Sequence, residues 1–271
     1  RHTELSRSSA KTDGSQFVRD QRSFNTPWLA ITHKLTTDQT VYASYGEGIE
    51  SEVAPNKTKY TNAGQALPAL RSKQYEVGIK SQTAATRWQA TVFDITRPQS
   101  ADACDTSGLI CTRQIDGQAH HKGLDISGQT KAISQWKLGA GYTWIDAKRE
   151  ASAVTPSVNG QSPINVPAYV FKGTAEYRFS SLPSLRTGLR VTREGERNAT
   201  ELGEVKLPAW TTWSASTHYE TKVNNVASTW SLAVDNLTDK QYWREAPKQF
   251  GHYYLYPGAP RTIRATVQFR L

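Results

Sequence analysis

Residues 242–261, YWREAPKQFGHYYLYPGAPR, bring together side chains suited to recognition. Tyr242, Trp243, Phe250, Tyr253, Tyr254 and Tyr256 stand among Arg244, Lys248, His252 and Arg261. Aromatic faces offer large, rigid contact area, and Tyr adds a polar edge. Arg presents a planar fork to carboxylate-like oxygens, and Lys a compact charge. This is equipment for holding a polar anion, with no group placed to make or break bonds. Two other stretches carry reactive atoms. Cys104 and Cys111 lie in ADACDTSGLICTR, where the spacing in a Gly/Ser/Asp-rich segment favours a local disulfide. A metal pair is the alternative, but no second pair or nearby Cys/His set completes four ligands. A disulfide implies an oxidising compartment. His120 and His121 are adjacent, so on a strand they point to opposite faces and cannot chelate together. No HExxH, Gly-rich phosphate loop or Ser/His/acid set stands out, so neither an enzyme nor a metal site is expected.

Composition narrows what could carry the 242–261 stretch. The 271 residues are 37% hydrophobic with a mean hydropathy of -0.62. No apolar run approaches the about 20 residues of a membrane-spanning helix. Strands that meet lipid with every second residue average out to a polar sequence, so hydropathy does not exclude them. The formal charge is +9, but Lys and Arg are spread along the chain without a basic stripe or a recognisable module, which argues against nucleic acid. Met is absent and no charged-then-apolar leader is present, so the expectation is a mature chain or a piece of a longer one.

The elements that must position these residues are strands. WKLGAGYTW puts Trp136, Leu138, Ala140, Tyr142 and Trp144 on one face, opposite Lys137, Gly139, Gly141 and Thr143. LRTGLRVT, YVFKGTAEYRF and YEVGIK alternate in the same way, and so does the final TIRATVQFRL. The spacing predicts strands at 24–35, 40–50, 70–81, 86–97, 118–131, 135–149, 165–179, 184–197, 207–220, 227–242 and 260–271, with a partial strand in 1–20. Short turns near 36–39, 82–85, 132–134, 181–183 and 221–226 alternate with long connections at 51–69, 98–117, 150–164, 198–206 and 243–259. Short turns on one side and long loops on the other mark an outer-membrane barrel. Trp136 with Trp144, and Tyr169 with Phe179, fit aromatic girdles at the two interfaces. Ile263, Val267 and Phe269 are then expected toward lipid, and Arg264 and Arg270 toward the lumen or the rim.

SLAVDNLTDKQYW followed by PGAPRTIRATVQFRL resembles the end of a TonB-dependent outer-membrane receptor of the siderophore type. TVYASYGEGIE, RSKQYEVGIKS, WQATVFDITR, HKGLDISGQT, WKLGAGYTWIDA, VPAYVFKGTAEYRF and LPAWTTWSAST follow one another as in the second half of that barrel, over about residues 24–271. The family usually ends in Phe, whereas here Leu271 is last and Phe269 precedes it. The resemblance implies an all-β, antiparallel transmembrane barrel of about 22 strands with a plugged lumen, of which residues 1–271 form the C-terminal portion. It implies energised uptake of a ferric siderophore in the Gram-negative outer membrane, with TonB engaged through an N-terminal region outside these residues. The other partners implied are lipopolysaccharide, outer-membrane lipid and the barrel assembly machinery, with no cofactor. Uptake of cobalamin, haem or another metallophore, or a passive porin-like channel, are the alternatives. Arg244, Phe250, His252, Tyr253, Tyr254 and Tyr256 become the expected ligand contacts. Tyr242 and Trp243 fit an interfacial girdle equally well, and the loop cations could instead meet lipopolysaccharide phosphates.

Overall fold

The computed structural model describes residues 1–10, 14–15, 17–130, 134–249 and 252–270. The chain opens with a hairpin of β1 (His2–Ser9) and β2 (Val18–Asn25). It continues through β3 (Trp28–Lys34), β4 (Gln39–Glu50), β5 (Leu70–Gln82), β6 (Thr86–Cys104), β7 (Cys111–Thr130), β8 (Trp136–Glu150), β9 (Tyr169–Arg178) and β10 (Leu185–Glu194). Two-residue strands β11 (Arg197–Asn198) and β12 (Lys206–Leu207) precede β13 (Trp210–Val223) and β14 (Val226–Asp235). Short β15 (Trp243–Glu245), β16 (Lys248–Gln249), β17 (His252–Tyr253) and β18 (Tyr256–Pro257) then lead to β19 (Thr262–Arg270). One antiparallel sheet of 11 strands runs β19-β14-β13-β10-β9-β8-β7-β6-β5-β4-β3, with each long strand beside its sequence neighbours. Among the described residues β3 and β19 do not pair with each other, so this sheet is a wall and not a closed ring.

Register explains the alternation. One row runs Ile31–Ala43–Val77–Val92–Leu124–Trp144 across six strands. Another runs Leu138–Ala175–Leu189–Ala215–Val234–Ile263. These rows lie on the outer face, where Ile31, Val77, Val92, Leu138, Leu189 and Ile263 are all exposed. A continuous apolar band of this extent fits a membrane-facing surface. Aromatics mark both margins. Trp136, Tyr177, Trp230 and Phe269 lie toward the short turns, and Tyr45, Tyr75, Trp144 and Tyr169 toward the long loops. Trp136 and Trp144 are eight residues apart, roughly 27 Å along the strand, which matches the apolar band of a barrel.

The inner face is polar. Arg186 lies between Glu176 and Glu220 at 3.9 and 3.2 Å, and Arg264 pairs with Asp235 at 2.6 Å. Lys80 sits 4.5 Å over the Tyr42 ring. Among the described residues the wall has no second apolar layer, and the cluster of buried apolar residues Ala199, Leu207 and Ala246 lies among the long connections. That arrangement fits a wall whose solvent is lipid on one side and a wet lumen on the other.

The structure corrects several boundaries. Residues 98–117 are not an open loop, because β6 and β7 run on as a hairpin to Cys104 and Cys111 with a bulge between Pro98 and Ser100. Only 105–110 turn, held by the Asp105 carboxylate, which accepts the Leu109 and Ile110 N–H groups at 3.0 and 3.2 Å. The polar residues of this hairpin hid its strand character, since it lies beyond the band that lipid constrains. The first wall strand starts at Trp28, because Thr26–Pro27 divides it from β2, and Pro27 has no N–H for a ladder. β14 stops at Asp235 and not at 242, because Asn236 takes φ 49° and its side chain bonds Lys240 and Ala259. The 221–226 turn is only Asn224–Asn225, both at positive φ (49° and 64°), as a two-residue hairpin turn requires. The 132–134 turn overlaps residues outside those described, and so does Leu271.

The connections at 51–69, 105–110, 151–168, 195–209, 236–249 and 252–261 lie at one end of the wall, and the turns at 35–38, 83–85, 179–184 and 224–225 at the other, as antiparallel order demands. On intact cells, a membrane-impermeant thiol reagent is expected to label Ser157→Cys and to leave Ala84→Cys untouched. The reverse pattern would invert the topology.

Candidate functional site

At the long-loop end, residues 243–257 fold into a nested hairpin: β15 pairs with β18, and β16 with β17. The hairpin docks on its neighbours through its backbone. Ala246 is fully buried against Ala199 and Leu207, and its N–H donates to Asn165 Oδ1 at 2.7 Å. Asn165 adopts φ 65°, and its own N–H donates to the Asn198 carbonyl at 3.0 Å. Arg197, 6% exposed, donates to the Arg244 carbonyl at 3.2 Å and pairs with Glu194. Lys248 bonds Glu201 at 2.7 Å, and the Glu201 N–H donates to the Tyr253 hydroxyl at 3.3 Å. Burial alone would lower the Lys248 pKa, but the Glu201 hydrogen bond and charge outweigh it and raise the value.

The base of this hairpin is aromatic. Tyr242 stacks on Trp210 with centroids 4.2 Å apart, and its ring lies so close to Gly258 that a Cβ there would come within 2.0 Å of it. Burial, the largest influence, pushes the Tyr242 hydroxyl pKa up. Tyr242 is therefore a packing residue at the foot of the loop.

A second cluster joins residues 51–69 to the β6–β7 hairpin. Arg113 reaches Glu52, Asp102 at 3.1 Å and Ser100 at 2.8 Å. Tyr60 donates to Asp102 at 2.7 Å, and burial followed by that carboxylate raises its pKa to about 12. Backbone bonds run from Cys111 N–H to Lys59 O and from Thr61 N–H to Cys111 O, while Asn62 brackets the Arg113 backbone. Cys104 and Cys111 are disulfide-bonded beside the hairpin tip. Asp116 anchors 151–168: it accepts from Ser152, Ala153 and Val154. Burial works to raise its pKa, but these bonds and Arg149 hold it below the usual carboxylate range. Its contribution to loop order is present above the ordinary Asp range and is lost as pH falls through the lowered value.

The expected ligand contacts fall as follows. Tyr253, Tyr254 and Tyr256 are on the exposed surface of the docked hairpin (39–44%), and so is His252. Arg244 is exposed and pairs with Glu245 at 3.1 Å. Phe250 lies outside the described residues. Sequence reasoning missed Asn165, Arg197 and Glu201, which come from other connections and fix the hairpin's position. Asn165 between two prolines was the one local signal, since Asn tolerates the left-handed region that its φ requires. His120 bonds Asp94 at 2.7 Å on the outer side, and His121 takes the opposite side of the strand. Among the described residues no group of three or more His, Cys, Asp or Glu converges to hold a metal.

A wall of alternating strands, apolar outside and polar inside, capped at one end by interlocked loops, invites comparison with known barrels. The family model described as TonB dependent receptor-like, beta-barrel, matches residues 1–237. The chain belongs to this family. Among curated relatives of this TonB-dependent receptor barrel, the ferrichrome receptor FcuA of Yersinia enterocolitica is 27% identical over 248 residues, 89% of this chain and 32% of the relative. The ferric-pyoverdine 358 receptor of Pseudomonas putida is 26% identical over 264 residues, 92% of this chain and 29% of the relative. The chain thus spans about a third of the length of these relatives. The solved structure of BauA, the ferric preacinetobactin receptor from Acinetobacter baumannii, superposes with a TM-score of 0.77 at 26% identity, covering 93% of this chain and 37% of BauA. The siderophore receptor PiuA, also from Acinetobacter baumannii, gives 0.75 at 19% identity, covering 99% and 39%, and supports the fold.

Proposed function

We propose that residues 1–271 form the C-terminal portion of the barrel of a Gram-negative outer-membrane receptor that takes up a ferric siderophore with energy delivered through TonB. The observation that carries the reading is the docked 243–257 hairpin. It holds exposed tyrosines beside Arg244 and Lys248 at the loop end of a barrel wall in a receptor family. The names of the relatives support the chelate class. In this reading a plug domain and a TonB-contact segment come from sequence outside these residues. Lipopolysaccharide meets the outer face near Arg193, which bonds the Tyr169 hydroxyl and Thr211 at 3.0 and 3.1 Å, and the assembly machinery engages β19. No catalytic step is assigned.

Growth under iron starvation on ferrichrome, ferric pyoverdine or ferric citrate, each as sole iron source, tests the function. Deleting the full-length receptor gene should abolish growth on at least one chelate, whereas undiminished growth on every iron chelate, with loss on cobalamin or haem, favours the alternative cargo. Single replacement of Arg244, Tyr253 or Tyr254 by Ala in the full-length receptor should weaken whole-cell affinity for that chelate by roughly three- to thirtyfold, about 0.6–2 kcal/mol each. Wild-type affinity in all three variants, at normal surface levels, would remove this hairpin from the site.

A further inference from the structure

The apolar band on the outer face is not even. On β6 to β9 one register row reads Trp88–Gly128–Ala140–Gly173, and the next row toward the long loops holds the bulkier Ile126, Tyr142 and Phe171. The Phe171 ring leans back over the low row, so that a Cβ on Gly173 would lie 3.4 Å from its edge. A concavity of about 530 Å³ results, its lining almost wholly apolar, with Trp88, Ile126, Leu138, Tyr142 and Phe171 standing around Ala140. Thr86 and Thr130, partners in register, close its short-turn end, and the Thr130 hydroxyl oxygen accepts the Leu138 N–H at 2.9 Å. Among the described residues no charged side chain enters it from the outer face, because Arg87, beside Thr86, alternates to the inner face with Ser127 and Gln129.

Its place decides the occupant. The concavity is continuous with the lipid-facing band, between Trp136 toward the short turns and Trp144 toward the long loops. A water held there would need several polar partners, which this lining does not supply. Left empty against hydrocarbon, the walls would forfeit their dispersion contacts on one side. A chain of CH₂ groups from the surrounding lipid supplies those contacts and asks for no hydrogen bond. The concavity occupies the part of the band nearer the short turns, which the topology above places in the periplasmic leaflet.

We infer that an acyl chain of a periplasmic-leaflet phospholipid occupies this concavity and stays with the protein as a retained lipid. The inference rests on the outer-membrane barrel reading above and not on the cargo. Trp88 on β6 and Phe171 on β9 flank the chain from either side of β7 and β8, so the lipid completes the outer packing of four strands where the protein's own side chains are smallest.

Photolabelling tests the site. The full-length receptor is reconstituted in vesicles of phosphatidylethanolamine and phosphatidylglycerol that contain phosphatidylethanolamine with a diazirine in one acyl chain. It is extracted in mild detergent, washed and then irradiated, so that only retained lipid leaves adducts, which peptide mass spectrometry locates. Adducts on 126–130, 138–142 and Phe171 should exceed those on the open patch around Leu189 and Ala215 by roughly fivefold. Ala140→Leu, which fills the floor, should abolish the excess, and Trp88→Ala, which removes a wall, should reduce it. Ala215→Leu, on the same face outside the concavity, should leave it unchanged. Equal adducts on the two patches, or an excess that survives both Ala140→Leu and Trp88→Ala, overturns the inference and leaves the barrel reading standing. Fewer adducts in the concavity than on the open patch, with a second protein or a second copy co-purifying, overturns it in favour of a protein occupant. Irradiation before extraction that marks neither patch overturns it together with the barrel reading.

Discussion

Replacing Arg197 by Ala will free the 243–257 hairpin from the wall. The guanidinium is 5% exposed, pairs with Glu194 and holds the Arg244 carbonyl at 3.2 Å. Removing it strands a carboxylate that keeps some solvent (22% side-chain exposure), so the cost is about 3 kcal/mol, the low end for breaking a buried pair. Ala246 N–H to Asn165 then remains as the main tether, with the Lys248–Glu201 bond beside it. If the hairpin is docked less than about a tenth of the time, apparent chelate affinity falls at least tenfold. Arg197→Lys keeps the charge but lacks the fork that spans both partners, so it should lie between. Hydrogen exchange across 243–257 in the full-length receptor reads the docking directly. Protection equal to wild type in Arg197→Ala would show that the guanidinium does not hold the loop.

The second large effect is all-or-none. The 271-residue chain expressed alone should not give a closed, heat-modifiable barrel in detergent or lipid. Among the described residues β3 and β19 each pair on one side only. In hydrocarbon each unpaired backbone group costs several kcal/mol, and in water an open edge templates association. Larger assemblies or aggregates are the expected product. A closed species containing one copy would mean that the two edges meet, and would favour a small passive channel over part of a large barrel.

What the sequence disclosed follows from where lipid acts. Between the girdles every second residue must be apolar, so Leu138, Ala140 and Tyr142, or Ile263, Ala265 and Val267, announce their strand and its face. Beyond the girdles nothing enforces that period. The β6–β7 hairpin therefore carries no strand signature beyond Arg97, and no break in the alternation marks the end of β14 at Asp235. The site was half legible. Tyr253, Tyr254, Tyr256 and Arg244 sit in one segment and stand out by type. The groups that place them, Asn165, Arg197 and Glu201, lie 40 or more residues away, and their backbone and ion-pair contacts leave no periodic trace.

The most direct test of the account is ⁵⁵Fe uptake by cells carrying the full-length receptor, compared with and without TonB, for the chelate that supports iron-limited growth. Accumulation should collapse to background without TonB or after the proton-motive force is dissipated, while chelate still binds at the surface. Accumulation that continues unchanged without TonB would contradict energised import and leave a passive channel in its place.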